Sequence, residues 1–340
     1  MSSSFRHALA VSSLFMFLTA CGGGGGGDAT APPGGGGSGG GLNPGVAGSL
    51  YFSAPSDNVR LDMPSGIATP LRERDGGVGA SASGTEFVAI EEAASGSYTA
   101  DDLVIYDANG NDITRFEVEG DLHGTPRFSR DGQHIAVRWW PPFSSEFSVG
   151  LAIFDRQGKL VRHYAESTSL GSPEIRSWDW EPDGHLLFSI GDTIVRVDPL
   201  VDPPAPPQEV AVFPDDWPSS LAVSPDGSRI AFTVGEPGNL TDHVWVMNAD
   251  GSGQRQLTAS TLNETSPAWS PDGGTIAVRQ GVTSWASVPT PGLCPTVYLV
   301  PADATRATLD EANPAPAYRL RMMEDGQARN VCAFSSMDWR

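Results

Sequence analysis

Hydrophobic positions along this chain come in short runs separated by Asp-Gly, Asn-Gly and Pro-rich breaks. The clearest runs each follow an Asp-Gly pair. Phe128–Val137 reads FSRDGQHIAV, Trp180–Ser189 reads WEPDGHLLFS, Val223–Phe232 reads VSPDGSRIAF, and Trp269–Val278 reads WSPDGGTIAV. A weaker copy, ASASGTEFVAI, spans Ala80–Ile90. Asp-Gly supplies the positive φ that a tight hairpin turn requires, and the run after it predicts a strand. A further strand follows in each copy: Leu103–Tyr106, Leu151–Phe154, Thr193–Arg196, Val244–Met247 and Val297–Val300. Short outer strands close the units, the last predicted over Tyr318–Met322.

The Asp-Gly pairs at Asp131, Asp183, Asp226 and Asp272 stand 43–52 residues apart. Four antiparallel strands at that period predict propeller blades. Ser336–Arg340 (SMDWR) matches Ser177–Glu181 (SWDWE), the inner strand of an internal copy. Near the other end, Gly48–Phe52, Asn58–Asp62 and Ala68–Leu71 read as second, third and fourth strands, with Pro64–Gly66 as a turn. One blade is therefore expected to be assembled from both ends, giving an all-β, six-bladed propeller over 46–340. The S-P-D-G turns and the stretch VWVMNADGSGQRQLT, Val244–Thr258, resemble the repeats of the TolB-type, WD40-like six-bladed propellers. The resemblance implies an exported cell-envelope protein. TolB carries an α/β domain before its propeller, where this sequence has a glycine-rich stretch.

Before the repeats, Arg6 and His7 precede an apolar run, Ala8–Ala20. It is too short to cross a bilayer as a helix and is expected to be a signal peptide, 1–20. Leu18-Thr-Ala-Cys21 resembles the bacterial lipobox, which implies lipidation at Cys21. Gly22 follows; by the enterobacterial sorting rule this implies the outer membrane. Residues 21–45 hold the runs Gly22–Gly27 and Gly34–Gly41 and are expected to form a flexible tether.

Charge narrows the partners. Lys and Arg number 21 against 41 Asp and Glu, a formal net charge of −20, which argues against nucleic acid. The expected partner is an envelope protein or glycan, with the membrane reached through the lipid anchor and the chain a monomer. No cofactor and no metal are expected.

Three groups of residues could carry function. Cys294 and Cys332 fall in loops of one face of the disc and are expected to form a disulfide. Trp139, Trp140, Phe143 and Trp285 belong to long segments of that face and are candidate partner anchors, with blade wedges as the other reading. Alignment of the inner strands gives a column of small hydroxyls (Thr125, Ser177, Ser220, Ser266, Ser336). Two positions on lie Arg127, Asp179 and Asp338, either an inter-blade ion pair or ligand contacts in the axial channel. His123 and Glu264 share a column in non-adjacent blades. Asp107–Asp112 resembles part of a calcium loop, but reads better as a polar hairpin. No nucleophile, zinc or paired-carboxylate motif is visible. A non-catalytic interaction module is the leading reading. The alternative is a lactonase-, cyclase- or lyase-like propeller enzyme.

Overall fold

The computed structural model describes residues 42–43, 45–54, 57–73, 77–142, 148–166, 174–214, 216–235, 241–281, 295–309, 316–324 and 326–340. Residues 1–20, expected to be a signal peptide, Cys21, most of the stretch 21–45 expected to be a tether, Phe143, Trp285 and Cys294 lie outside these residues. The chain has two units, 1–36 and 37–340, and the fold belongs to the unit Gly37–Arg340.

That unit is a six-bladed β-propeller. The closing blade takes β1 (Ser49–Ser53), β2 (Asp57–Asp62) and β3 (Ile67–Glu73). Blade I holds β4 (Gly79–Ala80), β5 (Glu86–Glu92), β6 (Ala100–Asp107) and β7 (Asp112–Glu119). Blade II holds β8 (Asp121–Phe128), β9 (His134–Trp140), β10 (Gly150–Asp155) and β11 (Leu160–Ala165). Blade III holds β12 (Ile175–Trp180), β13 (Leu186–Ile190), β14 (Thr193–Val197) and β15 (Gln208–Val212). Blade IV holds β16 (Ser219–Val223), β17 (Arg229–Gly235), β18 (Asp242–Asn248) and β19 (Arg255–Gln256). Blade V holds β20 (Asn263–Trp269), β21 (Thr275–Gly281), β22 (Thr296–Pro301) and β23 (Tyr318–Arg319). Then come β24 (Arg321–Glu324), β25 (Gln327–Asn330) and β26 (Asp338–Trp339).

The ring closes as the sequence predicts. β26 pairs antiparallel with β1, placing Leu50 opposite Trp339 and Tyr51 opposite Asp338. Ser49 and Arg340 exchange backbone hydrogen bonds at 2.7 and 2.9 Å. One outer strand differs from expectation. Tyr318–Met322 is not a single strand: it breaks at Leu320, which is fully buried between blade V and the closing blade. The chain then crosses to the closing blade, where β24 runs parallel to β3 through the pair Met323–Ile67 and turns back as β25. The closing sheet therefore has six strands, in the order β25-β24-β3-β2-β1-β26.

The Ser-x-Asp-Gly spelling is explained by the turn it makes. Ser224 Oγ donates to Asp226 at 2.7 Å and accepts the Arg229 N–H at 2.9 Å; Ser228 N–H donates to the same carboxylate at 3.0 Å. Ser129 with Asp131 and Ser270 with Asp272 repeat the arrangement. Gly227 holds φ +72 inside it, a value that disfavours any Cβ.

Apolar side chains fall into six clusters, and each cluster spans two neighbouring blades. Both faces of most strands are therefore covered. This is why β10, buried from Gly150 to Phe154, is a continuous apolar run instead of an alternating one.

Candidate functional site

The six inner strands surround an axial channel that is wide at one end and nearly closed at the other. The wide end is a cavity of about 770 Å³. Its wall uses the beginnings of inner strands, opposite the Asp-Gly turns, so it opens on the face where the longer loops leave. The narrow end holds only about 20 Å³. Arg127 lines both.

All five predicted hydroxyls line this funnel: Thr125, Ser177, Ser220, Ser266 and Ser336. Thr125, Ser220 and Ser266 sit where the inner strands lose regular pairing, at shifts between His123 and Arg127, Ser219 and Ala222, and Thr265 and Ala268. Ser220 and Ser266 hold φ of 51° and 54°, a region that costs a non-glycine residue about 1–3 kcal/mol. Some of the hydroxyls tie blades together. Ser177 Oγ accepts the Leu221 N–H at 3.0 Å, and Ser336 Oγ donates to Thr125 Oγ1 at 2.6 Å. The second bond joins the closing blade to blade II past blade I. Blade I offers only Gly77 and Gly79 there, and a Cβ on Gly79 would run into the Pro126 carbonyl.

Below the hydroxyls the structure brings Arg127, Asp179 and Asp338 together. Arg127 Nη1 is 3.9 Å from Asp179 and 4.0 Å from Asp338, so the charges face one another beyond hydrogen-bond distance. Both carboxylates are tied down elsewhere. Asp179 accepts the N–H groups of Trp180 at 3.0 Å and Val223 at 2.8 Å. Asp338 accepts the Ala80 N–H at 3.1 Å and pairs with Arg340 at 2.7 Å. Each Asp thus reaches into the next blade and braces the ring. Arg130 and Arg340 complete the floor, giving three guanidinium groups around two carboxylates. Burial pushes the Arg340 guanidinium down, against the upward pull of Asp338.

The upper wall contains groups the inner-strand alignment did not reveal: Arg138, Glu174, Arg176 and Asp242. Arg138 makes a two-pronged bond to Glu166, at 3.0 and 2.9 Å. Arg176 lies over the Trp217 ring, 4.1 Å from its centroid. Burial raises the Asp242 carboxyl, with Arg176 and His243 pulling it back down. Arg176 directly precedes the hydroxyl column at Ser177, the only hint of it in the sequence.

The aromatic candidates separate. Trp139 is 7% exposed, packed between blades I and II, and donates its indole N–H to the Glu119 carbonyl at 2.7 Å. It is a wedge between blades and does not serve as a surface anchor. Trp140, its neighbour, is 44% exposed and packs against His123, a funnel residue, with ring centroids 4.7 Å apart and the rings tilted by 52°. Phe143 and Trp285 lie outside the described residues.

His123 and Glu264 do not meet. Glu264 is fully buried and binds His243 at 2.8 Å instead. The calcium-like turn is a self-satisfied hairpin: Asp107 accepts the N–H groups of Asn109 and Asn111 at 2.8 and 2.9 Å, and Asp112 pairs with Arg72 and Arg115. Among the described residues, Glu181, Asp183 and His185 also come together at one Asp-Gly turn, but Glu181 is engaged by Arg196. Cys332 forms an isolated antiparallel bridge with Thr296, two positions after Cys294.

No family model matches the chain. A 46-residue stretch is 65% identical to the Tol-Pal system protein TolB of Anaeromyxobacter dehalogenans strain 2CP-C, covering 14% of this chain and 10% of that protein. A 63-residue stretch is 40% identical to dipeptidyl-peptidase 5 of Porphyromonas gingivalis, covering 17% and 9%. The chain thus spans about a tenth of the length of these curated relatives. Among solved structures, putative TolB from Agrobacterium tumefaciens aligns with a TM-score of 0.57 at 14% identity, over 86% of this chain and 91% of that one. TolB from Acinetobacter baumannii aligns with a TM-score of 0.54 at 16% identity, over 86% and 66%. The chain shares the six-bladed propeller fold with these TolB structures, and one repeat-length stretch of its sequence is TolB-like.

Proposed function

We propose that this chain is a non-catalytic interaction module of the bacterial cell envelope. It is a monomer whose propeller, 46–340, binds an envelope protein or glycan at the loop face. A signal peptide, 1–20, is removed, Cys21 is lipidated, and residues 21–45 tether the propeller to the outer membrane on its periplasmic side. The observation that carries the binding reading is the funnel of about 770 Å³ lined by hydroxyls and guanidinium groups, with the partly exposed Trp140 and Trp217 packed against its residues His123 and Arg176. Its volume falls in the range of ligand sites, and its polar groups converge on one space. The TolB-like stretch and fold support the envelope address. A Cys294–Cys332 disulfide would brace this face, a pairing supported by the Thr296–Cys332 bridge.

Trp140 and Trp217 are the rim anchors in this reading, at 44% and 50% exposure. The test is cross-linked capture from envelope extract by the full-length chain, compared with Trp140→Ala and Trp217→Ala. Loss of a captured species with unchanged melting supports the module. Identical capture profiles for all three proteins and a bait-free control would overturn it.

A further inference from the structure

We infer that the funnel recognises an acidic sugar, with the sugar's carboxylate held by Arg127 and its hydroxyls by the ring of serines and threonine above it. The inference rests on the module reading and names the ligand chemistry of the same site.

Arg127 carries the argument. Its side chain is only 13% exposed, yet its guanidinium donates no hydrogen bond to any described residue. The two carboxylates beside it stay 3.9 and 4.0 Å away because backbone N–H groups and Arg340 hold them. A guanidinium has five N–H donors in a planar fork that matches a carboxylate. Arg127 borders the funnel, so a ligand entering from the loop face reaches it last. The guanidinium groups of Arg127, Arg130 and Arg340 share this narrow floor with the carboxylates of Asp179 and Asp338. Arg138 is already held in a two-pronged bond by Glu166, and Arg176 lies higher on the wall with its face on the Trp217 ring, whereas Arg127 lies deepest, where funnel and floor meet.

The ring above Arg127 explains why the ligand is hydroxylated. Hydroxyls both donate and accept, so Ser220 and Ser266 suit a polyol better than a bare alkyl acid. Neither side chain is committed to another described residue. Their left-handed backbone keeps them at breaks in strand pairing, facing the axial space.

The experiment is calorimetric titration of the full-length chain with D-glucuronate, D-glucose, acetate, a glucuronate-containing oligosaccharide and triglycine. D-glucuronate is expected to bind at least tenfold more tightly than glucose or acetate. Arg127→Gln should reduce that affinity at least tenfold while glucose binding stays unchanged. Because losing Arg127 leaves Asp179 and Asp338 facing each other, Ser220→Ala provides a second variant; it should weaken glucuronate several-fold and acetate not at all. Tighter binding of the oligosaccharide than of the monosaccharide identifies a glycan source, and the reverse a free sugar acid. Equal affinities for glucuronate and glucose would overturn the inference, as would triglycine binding that depends on Arg127 without any glucuronate binding. Envelope capture that survives with no uronate binding would leave the module standing and sink only the ligand assignment. Uronate binding without any captured partner would do the opposite.

Discussion

Trp339 donates its indole N–H to the Ala47 carbonyl at 2.8 Å, joining residues 292 positions apart. Trp180 and Trp269, at the same place in their blades, donate instead to a neighbouring blade, at Arg127 and Ala222. The closing blade thus uses the repeat's own tryptophan to bind the other end of the propeller.

Removal of Ser336–Arg340 should therefore lower the melting temperature of the whole propeller. It removes β26, exposes the inner edge of β1, and empties the space of Trp339, which is 2% exposed. Loss of a buried Trp alone costs about 3–5 kcal/mol. Differential scanning calorimetry should show one transition at lower temperature, and an unchanged midpoint would contradict the closure.

Trp139→Ala and Trp140→Ala should behave oppositely. The first deletes an inter-blade wedge and its hydrogen bond, at a cost of about 3–5 kcal/mol. The second should leave melting nearly unchanged and weaken partner capture by roughly thirtyfold, as for a binding hot spot. Equal loss of melting in both variants would assign both side chains to packing.

The turn carboxylates make acid stability predictable in sign. Hydrogen bonds from Ser224, then from Ser228, hold Asp226 down to about 2, and Ser270 lowers Asp272 in the same way. A depressed carboxyl contributes stability that is present above its unfolded value of ~3.9 and is lost as pH falls towards the folded value. Melting temperature should accordingly drop between about pH 4 and pH 2. Asp226→Asn should lower stability at neutral pH by about 1 kcal/mol and flatten that drop. A variant as pH-sensitive as the parent would refute the assignment.

Cys21→Ser should move the protein from the membrane fraction to the soluble fraction, or leave it unprocessed. Fractionation and mature mass identical to the parent would exclude the anchor.

The blades are legible in the sequence because their turns are local chemistry: a Ser, an Asp and a Gly within four positions specify Ser224–Gly227 without help from distant residues. Ring closure is legible because SMDWR repeats an internal strand. The β24–β25 hairpin is not, since its docking rests on a few contacts between distant parts of the chain, the pair Met323–Ile67 and the Asn43–Arg321 bonds. Trp139 and Trp140 are indistinguishable in sequence because both faces of a blade can be buried, so alternation does not say which faces out. Arg127 and Asp179 are legible because they occupy one column of the repeated inner strands. Arg138 and Asp242 are not, because they reach the funnel from the second and third strands of their blades.

Asn43 bonds both ways to the backbone of Arg321, at 2.8 and 3.1 Å, and so fastens the stretch before β1 to the outer hairpin. β1 itself lies between β2 and β26. A mechanical pull on the N-terminal end of the propeller would first meet the Asn43 clamp. It would then load β1 in shear along two ladders at once, instead of peeling one strand from an edge. The propeller is thus latched at the point where any tension from upstream would enter.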